Sequence, residues 1–332
     1  MSNHPEVAVI GSGSWATAIS KLLLNQCQRI HWYIRNSDHI QHFKSKGSNP
    51  KYLTDVEFPL EKILFYNNAT RCISNAEYVI LAVPSAFLHE TLLEIPANLL
   101  QEKILFSAIK GIVPQKLQIV GNYLNEEFRV PYAQIGVITG PCHAEEVAME
   151  KLSYLTLAAS QEAPAETLAA LLRCSYMNVS VSDDIFGTEY SAVLKNIIAI
   201  ACGMAHGLGY GDNYQAVLVS NAIQEIKRFV EVVHPITRDI NASAYLGDLL
   251  VTCYSQFSRN RTFGAMLGKG YSVQHAQLEM NMIAEGYYAS KCIHHINLTH
   301  KVHMPISNCV YEIIYNRLSP RKAFQLLSDQ LA

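Results

Sequence analysis

The chain has 332 residues, enough for two domains at about 100–200 residues each. Apolar residues make up 49% and charged residues only 16%. About a quarter charged is usual, so disorder is excluded and the shortage of surface charge points to subunit contacts, a homodimer being the simplest. The 26 basic and 28 acidic side chains nearly cancel, to −2, which excludes a global attraction to nucleic acid or anionic lipid.

In chain order, a continuous apolar run over 7–11 ends at Gly11, and 14–25 has helical spacing. Further strands are expected at 30–34, 63–66, 78–83, 104–109, 135–139, 155–159 and 177–181, with helical stretches such as 164–172 between them. Runs apolar on both faces and separated by helices mark a parallel sheet covered on both sides. That is the α/β doubly wound pattern of a Rossmann-type domain. Near Gly187 the character changes. Helical periods follow over 188–204, 214–233, 242–253, 283–300 and 306–316, with Gly207, Gly209 and Gly211 separating the first two. The expectation is a dinucleotide-binding domain over 1–187 and an all-helical substrate and catalytic domain over 188–332. The longest uncharged stretch, 196–211, holds Asn, His and four glycines and is not read as a membrane span. No basic n-region precedes the first strand, so no signal peptide is expected. Eight cysteines without a C-x-x-C pair read as reduced thiols of a cytoplasmic protein. The tandem His294-His295 has no partners at zinc spacing, so no metal is expected.

The segment Gly11-Ser-Gly13-Ser14-Trp15-Ala16 fits G-x-G-x-x-G/A at a strand-to-helix turn. Gly11 permits the turn, Gly13 admits a pyrophosphate to the backbone, and Ala16 allows close helix packing. The helix N-terminus then offers N–H groups and partial positive charge to the phosphates. After the second strand stands Arg35, where an acid would bond the ribose 2′-OH of NAD. A guanidinium there suits the 2′-phosphate of NADPH or stacks on adenine, although an ordinary solvated arginine fits the same position. NADPH, or both NADPH and NADH, is therefore expected.

Lys110 follows the strand expected at 104–109, where ligands bind in open α/β sheets. Lys195 is the only charge between Ser191 and Ala205. An ammonium in such apolar surroundings has a lowered pKa and suits a general acid or base. Asp248 is a carboxylate inside an apolar helix and requires a partner. Ser258-Arg259-Asn260-Arg261-Thr262 gathers two guanidiniums, an amide and two hydroxyls, a composition suited to a phosphate or to a polar turn.

Together these segments resemble the bacterial NAD(P)-dependent glycerol-3-phosphate dehydrogenase family. The resemblance rests on 11–18, Val83-Pro84-Ser85, Lys110-Gly111, 140–147, 194–197, 207–213, Leu246-Gly-Asp248-Leu, Ser258-Arg259-Asn260, Ala284-Glu285-Gly286 and Met304-Pro-Ile. It implies a Rossmann domain followed by a helical domain like that of 6-phosphogluconate dehydrogenase. It also implies interconversion of dihydroxyacetone phosphate and sn-glycerol 3-phosphate, for phospholipid synthesis. Ser14, Trp15, Arg35, Lys110, Ala144, Arg259, Ile283 and Glu285 fall on coenzyme positions. Lys110, Gly140, Cys142, Lys195, Asp248, Ser258, Arg259 and Asn260 fall on substrate positions, with Lys195 exchanging the proton. Three departures stand out: Cys142 where the family has Ser or Thr, and Asn221 and Asp329 where it has arginine. Two rivals remain at this point, a related dehydrogenase for a keto or hydroxy acid and a redox-sensing binding module without catalysis.

Overall fold

A computed structural model describes residues 5–280 and 284–331. The chain forms two compact units, Met1–Ile109 with Val120–Ile185, and Lys110–Ile119 with Phe186–Ala332. The 110–119 segment therefore departs from the expected 1–187 span. Its residues form a small antiparallel hairpin whose Ile112 and Ile119 are wholly buried in the apolar core of the second unit. Burial of these two side chains decides where the segment belongs.

The first unit is built on an eight-stranded sheet. Its strands are β1 (Val7–Ile10), β2 (Ile30–Tyr33), β3 (Ile63–Tyr66), β4 (Tyr78–Leu81) and β5 (Ile104–Ser107). The hairpin of the second unit supplies β6 (Ile112–Val113) and β7 (Gln118–Ile119), after which the sheet continues with β8 (Ile135–Thr139), β9 (Ser153–Ala159) and β10 (Met177–Ser182). The order is β10-β9-β8-β5-β4-β1-β2-β3. The order in which strands are added reverses between the parallel neighbours β1 and β4, so the carboxyl ends of these two strands frame the crevice that such sheets offer a ligand. β1, β2 and β4 are buried on both faces, as central strands covered by helices must be. One pairing differs from the all-parallel expectation: β8 and β9 run antiparallel. The only helix in their connection is Ala144–Ala148, five residues long, too short to cross the sheet face and return the chain in parallel. Beneath the β2–β3 edge, Trp32, Phe43, Phe58 and Phe65 pack ring to ring, and Trp32 Nε1 donates to the Gly11 carbonyl at 2.7 Å.

Among the described residues, the second unit is helical apart from its hairpin. Its spine is the helix Ile185–Leu208, long and apolar enough by composition to cross a membrane, yet 83% of its most apolar window is buried within the protein. It is a core helix. The helix Arg259–Gly268 crosses it backbone to backbone. A Cβ at Gly264 would strike the Ile200 carbonyl, and one at Gly203 the Arg261 carbonyl; Gly207 and Gly268 face each other in the same way. Two G-x-x-x-G pairs thus bring the Lys195 helix and the Arg259 helix closer than any side chain would allow. Elsewhere in this unit, buried Glu225 caps the helix Pro305–Tyr315 by accepting from Ile306 N, Ser307 N and Ser307 Oγ at 2.6–2.9 Å.

Candidate active site

In the first unit, the glycine turn follows β1. Gly11 has φ +129°, and a Cβ there would collide with the Ala82 carbonyl beyond β4. Only glycine fits both the angle and the approach. Gly13 is the N-cap of the helix Ser14–Leu23, and a Cβ on it would meet nothing within 4 Å. Ala16 is fully buried against the sheet and Ser14 nearly so. Trp15 Nε1 is buried with no hydrogen-bond partner among the described residues. A conformation only glycine adopts, an open face at Gly13 and an unpartnered buried donor on the same turn fit a dinucleotide. Arg35 is exposed beyond β2, its guanidinium 6.0 Å from the Phe87 ring centre. Gly140, at φ +110°, follows β8, with Cys142 half-buried and Ala144 at the start of the next helix. A Cβ on Gly140 would lie 2.9 Å from the Tyr154 carbonyl.

In the second unit, three charges meet in the interior. Lys195 Nζ donates to Asp248 Oδ1 at 2.6 Å and to Thr252 Oγ1 at 2.7 Å. Lys110 Nζ reaches both carboxylate oxygens of Asp248, at 3.1 and 2.9 Å. Asp248 is 1% and Lys195 5% exposed, so solvent screens this cluster little. Burial lowers the Lys195 pKa to about 8, an effect that Asp248 opposes and Lys110 reinforces. Burial would raise the Asp248 carboxyl, but the Lys110 and Lys195 ammoniums outweigh it and hold the group below its ordinary value. The anion is thereby fixed, and Lys195 becomes an ammonium that can lose its proton near neutrality.

A chain of amides runs beside the charges. Asn196 Nδ2 donates to the Lys110 carbonyl at 2.6 Å, Asn260 Nδ2 to Asn196 Oδ1 at 2.9 Å, and Gly286 N to Asn260 Oδ1 at 2.9 Å. Asn260, expected from the sequence to touch substrate, thus has its carbonyl oxygen and one N–H engaged within the protein. The Ser258–Thr262 segment is not a free polar turn. Ser258 Oγ accepts from Arg261 N at 3.3 Å and caps the helix Arg259–Gly268. Arg259, exposed in the first turn of that helix, has no ion-pair or hydrogen-bond partner among the described residues. Glu285 opens the helix Glu285–His300, and Ile283 lies outside the described residues. Sequence reasoning gave no role to Asn196 or Thr252. Thr252 stands one helical turn after Asp248, so the spacing of an acid and a hydroxyl at i, i+4 was the available signal.

A doubly wound nucleotide-binding sheet, followed by a helical unit that buries a lysine–aspartate–lysine cluster, defines a two-domain nicotinamide-dependent dehydrogenase. Residues 6–165 match the family model for the NAD-dependent glycerol-3-phosphate dehydrogenase N-terminus, and 184–325 the model for its C-terminus. Glycerol-3-phosphate dehydrogenase [NAD(P)+] of Staphylococcus aureus strain JH9 is 31% identical over 98% of both chains. Its Exiguobacterium counterpart is 35% identical over 95% of this chain and 92% of that one. The crystal structure of glycerol-3-phosphate dehydrogenase from Coxiella burnetii superposes with a TM-score of 0.88 at 29% identity, covering 97% of this chain and 98% of that one. The chain belongs to the NAD(P)-dependent glycerol-3-phosphate dehydrogenase family.

Proposed function

We infer that this chain interconverts dihydroxyacetone phosphate and sn-glycerol 3-phosphate with NAD(P)H, and that Lys195 exchanges the proton. The observation that carries the proton assignment is the Lys195–Asp248–Lys110 cluster, with Lys195 Nζ 2.6 Å from the carboxylate and Lys110 2.9 Å from it. When bound, the nicotinamide supplies the hydride that turns the ketone carbon into a secondary alcohol carbon. The ketone oxygen then gains negative charge, which an ammonium in a water-poor setting stabilises and protonates. Asp248 keeps Lys195 oriented and charged, and Lys110 adds a second positive charge to polarise the oxygen. In the oxidation direction a neutral Lys195 takes the proton back.

Arg259 is the residue we assign to the substrate phosphate. It is a cation without a partner among the described residues, placed at a helix N-terminus where two arginines and no acid stand in the first turn, an unfavourable arrangement unless an anion joins it. Asn260, Ser258, Gly140 and Cys142 complete the proposed substrate positions. The coenzyme is assigned to the 11–16 turn, with Arg35 reading the 2′-phosphate and Ala144, Glu285 and Arg259 as further contacts. A homodimer and a cytoplasmic location are part of the same reading; free thiols at all eight cysteines fit a reducing compartment. The product would supply glycerophospholipid synthesis.

The test is oxidation of NADPH and NADH by the purified protein on addition of dihydroxyacetone phosphate, phosphate-free dihydroxyacetone, or a 2-keto acid. Turnover with the phosphorylated ketone, and little with the other two, is expected. Turnover with the keto acid alone would overturn the substrate assignment, and none with any would leave a binding module.

A further inference from the structure

The three carbonyls of the glycine turn each accept a hydrogen bond, and from different parts of the chain. Trp32 Nε1 holds the Gly11 carbonyl at 2.7 Å. The Gly13 carbonyl takes Thr17 N and Thr17 Oγ1, both at 2.9 Å. The Ser12 carbonyl takes Asn49 Nδ2 at 3.1 Å. Asn49 comes from the connection between the helix Ser37–Lys46 and β3, and it is 2% exposed. Its Nδ2 also donates to Thr17 Oγ1 at 2.8 Å, and its Oδ1 accepts from Lys51 N at 3.0 Å and Tyr52 N at 3.2 Å. Both donors and both acceptor sites are used. Thr17 gives its one proton to the Gly13 carbonyl, so only a donor can face it. That requirement fixes which way the Asn49 amide points.

In a trans peptide the C=O and the following N–H point in opposite directions. Each held carbonyl, of Gly11, Ser12 and Gly13, therefore turns the N–H that follows it, of Ser12, Gly13 and Ser14, away from its donor. Ser12 N and Gly13 N donate to no other described residue, and the Gly13 face is open. Successive N–H groups aimed into open space form a receptor for a polyanion. We propose that Asn49 is a positioning residue for the coenzyme's diphosphate. It pins the Ser12 carbonyl so that the Gly13 N–H faces the phosphates, and ties the 49–52 turn to the glycine loop. The proposal rests on the reading that the 11–16 turn binds the dinucleotide.

The test measures direct binding to the full, coenzyme-free chain by calorimetry, with thermal melting as the control for folding. The probes are NADPH, ADP, and 2′-AMP, which carries no diphosphate. Asn49→Asp keeps the size and the acceptor for Lys51 and Tyr52 but sets an oxygen against the Ser12 carbonyl. Asn49→Ala removes the donor without adding charge. Both should weaken NADPH and ADP about tenfold or more, with 2′-AMP changed less than about twofold. A merely structural role would weaken all three probes together, and that result, or undiminished ADP binding in a folded variant, overturns the proposal. Should neither variant fold, isosteric Thr17→Val removes the hydroxyl that orients the Asn49 amide and donates to the Gly13 carbonyl, and should show the same selective loss; unchanged ADP binding would again count against it. Gly13→Val separates the two levels of the argument, because a Cβ there meets no protein atom within 4 Å and the added methyls occupy the open face. If it binds NADPH normally, the reading of the turn fails. If it loses NADPH while both Asn49 variants retain it, only the role of Asn49 fails.

Discussion

The two units prepare for charge in opposite ways. In the first, a polyanion is to be met by backbone: consecutive residues from Gly11 to Ser14, neutral side chains behind them, and no lysine at the turn. In the second, charge is met by side chains drawn from residues 110, 195 and 248, with the nearest contact at 2.6 Å. A backbone receptor needs conformational freedom at one or two positions and therefore occupies a short, contiguous stretch of sequence. A buried charge cluster needs opposite charges from several elements, because a lone buried ion is strongly unfavourable. The first kind of site depends on what is absent at Gly11 and Gly13; the second depends on what is present at Lys195 and Asp248.

The sharpest test of that difference is Lys195→Met, which keeps length and helix propensity but removes charge and proton. kcat should fall on the order of 10²–10⁴-fold, while the calorimetric affinity for NADPH stays near normal; turnover within a few-fold of the parent would make Lys195 an ordinary core residue. In the parent, the reduction rate should decline as pH rises through about 8, where burial places the Lys195 pKa, since the acid must be protonated. The oxidation rate should climb over the same range. A flat profile from pH 7 to 9 with rate-limiting chemistry would separate Lys195 from proton transfer.

Arg259→Ala comes next. Loss of a charge-assisted phosphate contact, about 1.5–3 kcal/mol, should raise KM for dihydroxyacetone phosphate by about ten- to a hundredfold with the melting temperature unchanged. Wild-type KM and kcat together would reduce the exposed guanidinium to surface charge. Glycine makes the comparison within one residue type. Gly264→Ala drives a methyl into the Ile200 backbone and should cost roughly 1–3 kcal/mol of stability. Gly13→Ala, facing open space, should melt like the parent. Equal melting temperatures would show that the two helices can move apart. The smallest effect is expected at exposed Arg35. Arg35→Ala should weaken NADPH about tenfold, the low end for a charged bond, and spare NADH; equal loss of both coenzymes would deny it the 2′-phosphate.

Much of the first unit was legible because its signals are local. Gly11 ends the 7–11 run, Gly13 and Ala16 follow closely, and the central strands β1, β4 and β5 show themselves as apolar runs. Strand direction is not written in such runs, so the antiparallel β8–β9 pair was missed. Lys195 and Asp248 announced themselves separately, as isolated charges in apolar helices, but nothing in one dimension says that they share a hydrogen bond. Lys110 was read as part of the first domain because it follows β5, whereas Ile112 and Ile119 carry its segment into the core of the second. The amide of Asn260 was read as a ligand, and the structure engages it with Asn196 and Gly286 N.

What this sequence determined by itself is the class of each unit and the identity of its charged residues. Periodicity follows from local backbone geometry, and a charge in an apolar stretch is conspicuous without any fold. Tertiary structure decided the partnerships: Lys195 with Asp248 and Lys110, Asn49 with Ser12 and Thr17, Gly264 with the Ile200 backbone. These join residues 32 to 138 positions apart. Their pairing depends on close packing and on satisfying buried polar groups, conditions that exist only once the chain has folded.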